Sequence, residues 1–187
     1  MTTMKNDPTE VSPPRRMNGH RELTCINPAT GRHFTSVAMA TPAEIARAHR
    51  EMREAAPLWR SKSPAERARI LRKFQKVLID HADEITRVIN LDTGKSRQDA
   101  LAELFLVVDK LQNYTKKNAE KWLRSERVPP GIYIFKKYTV ERRPFGVVAV
   151  IGPWNLPLDL TLPPTYAALL AGNTVILKPS EVTPAAS

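Results

Sequence analysis

A side-chain amide and a Lys–Glu pair, each closing an apolar run, are the groups in this sequence best placed to do chemistry. The first run, Val147-Val-Ala-Val-Ile151, leads into Gly152-Pro153-Trp154-Asn155; the second, Thr174-Val-Ile-Leu177, leads into Lys178-Pro179-Ser180-Glu181. Continuous β-branched runs of this length predict strands buried on both faces. Between them, residues 162 to 171 read as an apolar, buried helix, with Thr161 as its cap and Pro163 and Pro164 in its first turn, where a missing N–H costs little. Strand, helix, strand is a βαβ unit with a right-handed crossover. Its parallel strands lie about 4.8 Å apart and end on the same edge, where open α/β sheets take ligands. A Lys ammonium and a Glu carboxylate there suit the hydroxyls of a sugar, and an Asn amide suits a developing oxyanion. Plainer readings stand beside these: Asn155 as a turn or helix cap, Trp154 as an anchor packing the loop, Lys178 and Glu181 as solvated charges. The glycine-rich phosphate loop common in dinucleotide sites is absent.

The elements that must position these loops lie upstream. Thr41-Pro-Ala-Glu44 and Ser63-Pro-Ala-Glu66 are capping boxes with proline at the first helical position, and Ser96-Arg-Gln-Asp99 is a weaker version. They predict three helices. The second carries Leu71, Phe74, Leu78, Ile85 and Val88 on one stripe and closes at Gly94; the third carries Leu101, Leu104, Val108, Leu111 and Trp122. Before them, the turn Asn27-Pro-Ala-Thr-Gly31 joins two short strands around Thr24–Ile26 and Phe34–Val37. After them, Pro129-Pro130-Gly131 breaks the helical pattern, and residues 132 to 140 read as an edge strand or pairing arm whose Lys136 and Lys137 keep it solvated. The expected organisation is a disordered tail over 1–22, a helical part over 23–131, an edge segment over 132–143 and the βαβ unit over 144–187.

Composition narrows the function class. With 42% hydrophobic and 26% charged residues, the 187-residue chain is globular. No apolar run approaches the roughly 18 residues of a membrane span, and no secretory signal is present. A single cysteine, Cys25, suits a reducing compartment and a cytoplasmic location. The four histidines have no metal-ligand spacing. The net charge of +10 is the sum of +11 before Pro144 and −1 from there on, where Lys178 alone faces Asp159 and Glu181. Basic residues spread over helix faces without an aromatic platform describe a solvated surface, not a nucleic-acid site.

Pro144-Phe145-Gly146, Gly152-Pro153-Trp154-Asn155, Ala171-Gly172-Asn173-Thr174 and Lys178-Pro179-Ser180-Glu181 resemble segments of the NAD(P)-dependent aldehyde dehydrogenases, as do Asn27-Pro-Ala-Thr-Gly31 and Leu91-Asp-Thr-Gly-Lys95. The likeness runs from about Ile26 onward, and Leu160-Thr-Leu-Pro163 leans towards the branch acting on fatty or aromatic aldehydes. It implies the N-terminal part of an aldehyde dehydrogenase-like α/β fold: helices plus the first βαβ unit of a Rossmann-like parallel sheet, incomplete. Asn155 then matches the amide that holds the oxyanion. Lys178 and Glu181 match the pair on the adenosine ribose of NAD or NADP, with NAD favoured. Ile151, Gly152, Pro153 and Trp154 match the lining of the cofactor cleft, and Ser180 falls within the same cofactor-binding segment. Residues 132–143 match an oligomerisation segment, so a homo-oligomer acting on an aldehyde is implied.

The departures are as specific. The family's nucleophilic cysteine, its general-base glutamate and the turn beside the pyrophosphate come from sequence beyond the Lys-Pro-Ser-Glu segment. Thr183-Pro184-Ala185 is a third helix start with no helix body after it, so the chain reads as cut within a domain and as catalytically incomplete alone. The alternative is a non-catalytic partner that docks on a longer dehydrogenase.

Overall fold

A computed structural model describes residues 16–17, 20–116 and 118–187. Two antiparallel strands, β2 (His20–Asn27) and β3 (Arg32–Ala38), flank the expected turn, and a two-residue β1 (Arg16–Met17) pairs with β2. In the turn, the Gly31 N–H donates to the Asn27 carbonyl at 2.8 Å and the Ala29 N–H to Asn27 Oδ1 at 2.8 Å. The hairpin is longer than its sequence signal. Residues 1–15 and 18–19 of the expected tail lie outside the described residues, whereas 20–22 already belong to β2.

Both capping boxes form. Thr41 Oγ1 accepts from the Glu44 N–H and Ser63 Oγ from the Glu66 N–H, while each glutamate accepts from the cap N–H, opening α1 (Pro42–Arg60) and α2 (Pro64–Asp80). The hydrogen bonds from Ser63 hold the Glu66 carboxyl below its ordinary range. The second expected helix is in fact two. The backbone leaves helical geometry at His81, and α3 (Ala82–Thr93) restarts with Asp83 and Glu84 in its first turn, where carboxylates complement the helix dipole. Ile85 and Val88 therefore sit on α3. Likewise α4 (Arg97–Thr115) ends before α5 (Asn118–Leu123), which carries Trp122.

The core gathers Leu71 and Leu78 of α2, Ile89 of α3, and Leu104, Val107 and Leu111 of α4. Its α4 face runs through Ala100, Glu103, Leu104, Val107 and Leu111, so Leu101 points outward, contrary to the expected stripe. Phe74 is also half-exposed and meets the Tyr166 ring at 5.8 Å.

The expected edge strand over 132–140 is mostly not a strand. Only β5 (Tyr138–Val140) is extended, paired antiparallel with β4 (Glu126–Val128). Before it the chain makes two turns, with N–H donation from Tyr133 to the Pro130 carbonyl at 3.0 Å and from Lys136 to the Tyr133 carbonyl at 2.8 Å. Local turn bonds after Pro-Pro-Gly outweigh the β propensity of the intervening residues.

The βαβ unit is present: β6 (Val147–Ile151), α6 (Leu162–Leu170) and β7 (Thr174–Lys178), with β6 and β7 parallel and in register from Val147–Thr174 to Ile151–Lys178. The end of α6 shows why the Ala171–Thr174 segment has its composition. A helix leaves its last carbonyls without partners. Here Asn173 Nδ2 donates to the Ala168 carbonyl at 2.9 Å, Trp59 Nε1 to Leu169 at 2.9 Å and Arg67 Nε to Leu170 at 2.9 Å. Asn173 Oδ1 also accepts the Gly146 N–H at 3.0 Å, which ties the helix end to the start of β6. Two expectations fail. Thr161 occupies the cap position but its hydroxyl donates backward to the Pro157 carbonyl at 2.5 Å and caps nothing. Burial of β6 on both faces is also missing: Val150 is buried but Ala149 and Ile151, which point to the opposite face, are exposed, so that face lies uncovered among the described residues. Residues 183–187 form no helix.

Candidate functional site at the edge of the parallel sheet

The loops after β6 and β7 meet as the topology requires. The Gly152 N–H donates to the Lys178 carbonyl at 3.0 Å, carrying the ladder one step past the strand end, and Thr183 Oγ1 lies 3.5 Å from the Trp154 carbonyl. Asn155 is exposed in this loop, and α6 begins only at Leu162, so Asn155 does not cap that helix. Trp154 is 60% exposed, so it does not anchor the loop against the described core. Lys178 Nζ and Glu181 Oε2 stand 2.6 Å apart on the surface, and this bond holds the Glu181 carboxyl below its ordinary range. Ile151 and Pro153 are exposed beside them. Ser180 differs from the rest: it is buried and its Oγ accepts the Val182 N–H at 3.2 Å, shaping the turn rather than facing the edge.

Gly152 has a steric reason. A Cβ at this position would lie 2.1 Å from Thr161 Cγ2, far inside van der Waals contact, and Thr161 is itself fully buried. No side chain larger than hydrogen fits while α6 starts where it does.

Behind the edge stands a group of residues to which the sequence assigns no role at the site, although the Leu91–Lys95 segment is noted there for its resemblance. The end of α3 and the residues just past it, Asp92 to Lys95, tie together several of the segments behind the two loops. Gly94 adopts φ +72°, and a Cβ on it would meet Pro28 Cγ at 2.9 Å, so the Asn27–Gly31 turn packs directly on it. Asp92 Oδ2 accepts the N–H groups of Ala185 and Ala186, both at 2.9 Å, and holds the chain after Glu181. Lys95 Nζ reaches Glu103 Oε2 at 2.5 Å, and Glu103 Oε1 accepts the N–H groups of Leu158 at 2.9 Å and Asp159 at 3.2 Å. Lys110 Nζ then grips both oxygens of Asp159 at 2.7 Å. Two segments noted separately in the sequence, Asn27–Gly31 and Leu91–Lys95, are thus one structural unit. The available signal was Glu103 itself, a carboxylate on the buried stripe of α4, where an unpaired charge would be very costly.

Cys25 is buried beside this unit. Burial and the Asp92 charge push its thiol up to about 11, with the Ala185 N–H acting in the opposite direction. Such a thiol is almost wholly protonated at neutral pH. Among the described residues no His, Cys, Asp and Glu cluster suits a metal ion, and no helix is long and apolar enough to cross a membrane.

The model of the aldehyde dehydrogenase family matches residues 16–187. The 4,4'-diapolycopene aldehyde oxidase of Methylomonas sp is 42% identical over 86% of this chain and 31% of its own length. The N-succinylglutamate 5-semialdehyde dehydrogenase 2 of Caulobacter vibrioides is 36% identical over 88% of this chain and 33% of its own. Among solved structures, an aldehyde dehydrogenase of Brucella melitensis superposes with a TM-score of 0.81 at 28% identity, covering 99% of this chain and 39% of that one. An NADP-dependent enzyme of E. coli gives 0.81 at 31% identity, covering 90% and 34%. The chain spans about a third of the length of the curated relatives it matches.

Proposed function

The chain belongs to the aldehyde dehydrogenase family, and from that premise we propose that it supplies the adenosine edge and the oxyanion amide of an NAD(P)-dependent enzyme that oxidises aldehydes to carboxylic acids. The observation that carries this reading is the Gly152–Lys178 hydrogen bond of 3.0 Å, which brings the Asn155 loop and the Lys178–Glu181 loop to one edge. The residues present fit a nucleotide: a surface ammonium and carboxylate 2.6 Å apart offer a donor and an acceptor to the two hydroxyls of a ribose. When bound, the nicotinamide supplies the hydride acceptor. Asn155 offers an exposed amide N–H to the oxygen that becomes negative when a thiolate adds to the aldehyde carbon. Glu181 suits NAD, and NADP remains compatible with the same pair.

On this reading the thiolate comes from elsewhere than these residues: Cys25, their one thiol, is 2% exposed on β2 and does not face an aldehyde, and burial raises its thiol to about 11. The chain by itself is therefore catalytically incomplete. Residues 1–187 expressed alone are expected to form no NADH from hexanal and NAD above a buffer control. NADH formation that disappears in Cys25→Ser places the nucleophile within these residues and overturns the assignment.

A second reading, docking on another dehydrogenase chain, rests on the segment before β5. Ile132, Ile134 and Phe135 are 87%, 71% and 95% exposed, more contiguous apolar surface than a free arm favours. In the complete enzyme the same surface serves a homo-oligomer.

A further inference from the structure

We infer that Glu103 is a positioning residue that sets the Asn155 loop, holding it to α4 from behind. The inference rests on the reading of Asn155 as the oxyanion donor. A loop that leaves a strand and carries a catalytic amide needs its backbone fixed, since misplacement by about 1 Å can cost on the order of 100-fold in rate. The five residues from Asn155 to Asp159 form no regular secondary structure, and Gly152 pins only their strand side. Glu103 pins the other. Its side chain is 1% exposed, one carboxylate oxygen takes the two successive N–H groups of Leu158 and Asp159, and the second oxygen is neutralised by Lys95.

Burying a carboxylate is costly unless it is paired and hydrogen-bonded. An apolar side chain at this position of α4 would serve the core alone. The carboxylate instead satisfies two buried N–H groups that the irregular loop leaves without backbone partners. Asp159 adds a second tether through Lys110, but that lysine is 41% exposed and its bond is open to solvent. Glu103 is the buried fixture.

A double-mutant cycle in the full-length enzyme carrying these residues tests the inference, with single-turnover NADH formation from hexanal and NAD as the readout. Asn155→Ala is expected to slow the step by about 100-fold or more, the usual loss for an oxyanion donor. Glu103→Ala is expected to slow it by about 10- to 100-fold when Asn155 is present, and by less than about twofold in the Asn155→Ala background. Glu103→Gln keeps an oxygen for the two amides and is expected to retain rate within about fivefold, which keeps the test valid should Glu103→Ala fail to fold. NAD affinity should be unchanged in both Glu103 variants. Equal losses from Glu103→Ala in the two backgrounds, or a Glu103→Gln variant as slow as Asn155→Ala, overturn the inference and leave the Asn155 reading standing. An Asn155→Ala enzyme at full rate overturns that reading and this inference with it.

Discussion

Gly152→Ala is expected to destabilise the chain by about 2–3 kcal/mol, the upper part of the usual range for overpacking, because its methyl would land on a buried neighbour. The added Cβ lies 2.1 Å from Thr161 Cγ2. Neither side can yield cheaply. Gly152 is tied to Lys178 through its N–H, and Thr161 is tied to the Pro157 carbonyl through its hydroxyl at 2.5 Å. Thr161→Ser removes the offending methyl and retains the hydroxyl, so the double variant should recover most of the loss. Urea denaturation of the two single variants and the double variant measures this. A Gly152→Ala chain within about 0.5 kcal/mol of the parent, a difference typical of surface substitutions, would show that the loop is not packed as described.

Asp92→Ala is expected to cost about 2–3 kcal/mol, because it leaves the buried N–H of Ala186 and the half-buried N–H of Ala185 without their acceptor. Asp92→Asn keeps one acceptor oxygen and should lose much less. The pair also predicts a pH dependence. Burial raises the Asp92 carboxyl above its ordinary value of 3.8, with the N–H groups of Ala186 and Ala185 opposing the shift. A raised carboxyl favours the protonated form in the folded state. Its contribution to stability is fully present below the ordinary value and is lost as pH rises through the raised one. Asn does not titrate. The stability of Asp92→Asn relative to the parent should therefore shift in the variant's favour from acid to neutral pH. A difference independent of pH would contradict the buried, charge-averse placement of Asp92.

The sequence was most legible where local chemistry decides structure. Thr41 and Ser63 mark helix starts because a hydroxyl and a glutamate three residues on satisfy orphan N–H groups without tertiary help. The β6–α6–β7 unit was legible from continuous β-branched runs, and its topology then forced Asn155 and Lys178 to one edge. What failed depended on tertiary context. The break at His81 has no proline or glycine to announce it, so an apolar stripe across α2 and α3 reads as one helix. On α4 the apolar pattern tolerates a rotation of one residue, so Leu101 reads as inward although Ala100 and Glu103 hold that face. The roles of Glu103 and Asp92 are not legible in the sequence, although Asp92 lies in the Leu91–Lys95 segment noted for its resemblance. Their partners are backbone N–H groups of Leu158, Asp159, Ala185 and Ala186, which leave no mark in side-chain spacing.

The proposed cofactor site requires the ribose end of the nucleotide to rest against Lys178 and Glu181. Photolabelling of the full-length enzyme with an azido-adenine analogue of NAD tests this most directly. The label is expected on the peptide that contains Lys178 to Glu181, suppressed by excess NAD and reduced at least about tenfold in Glu181→Ala, the loss of one charge-assisted bond. Label confined to another part of the polypeptide, or undiminished when both Lys178 and Glu181 are replaced by alanine, would contradict the placement of the cofactor at this edge.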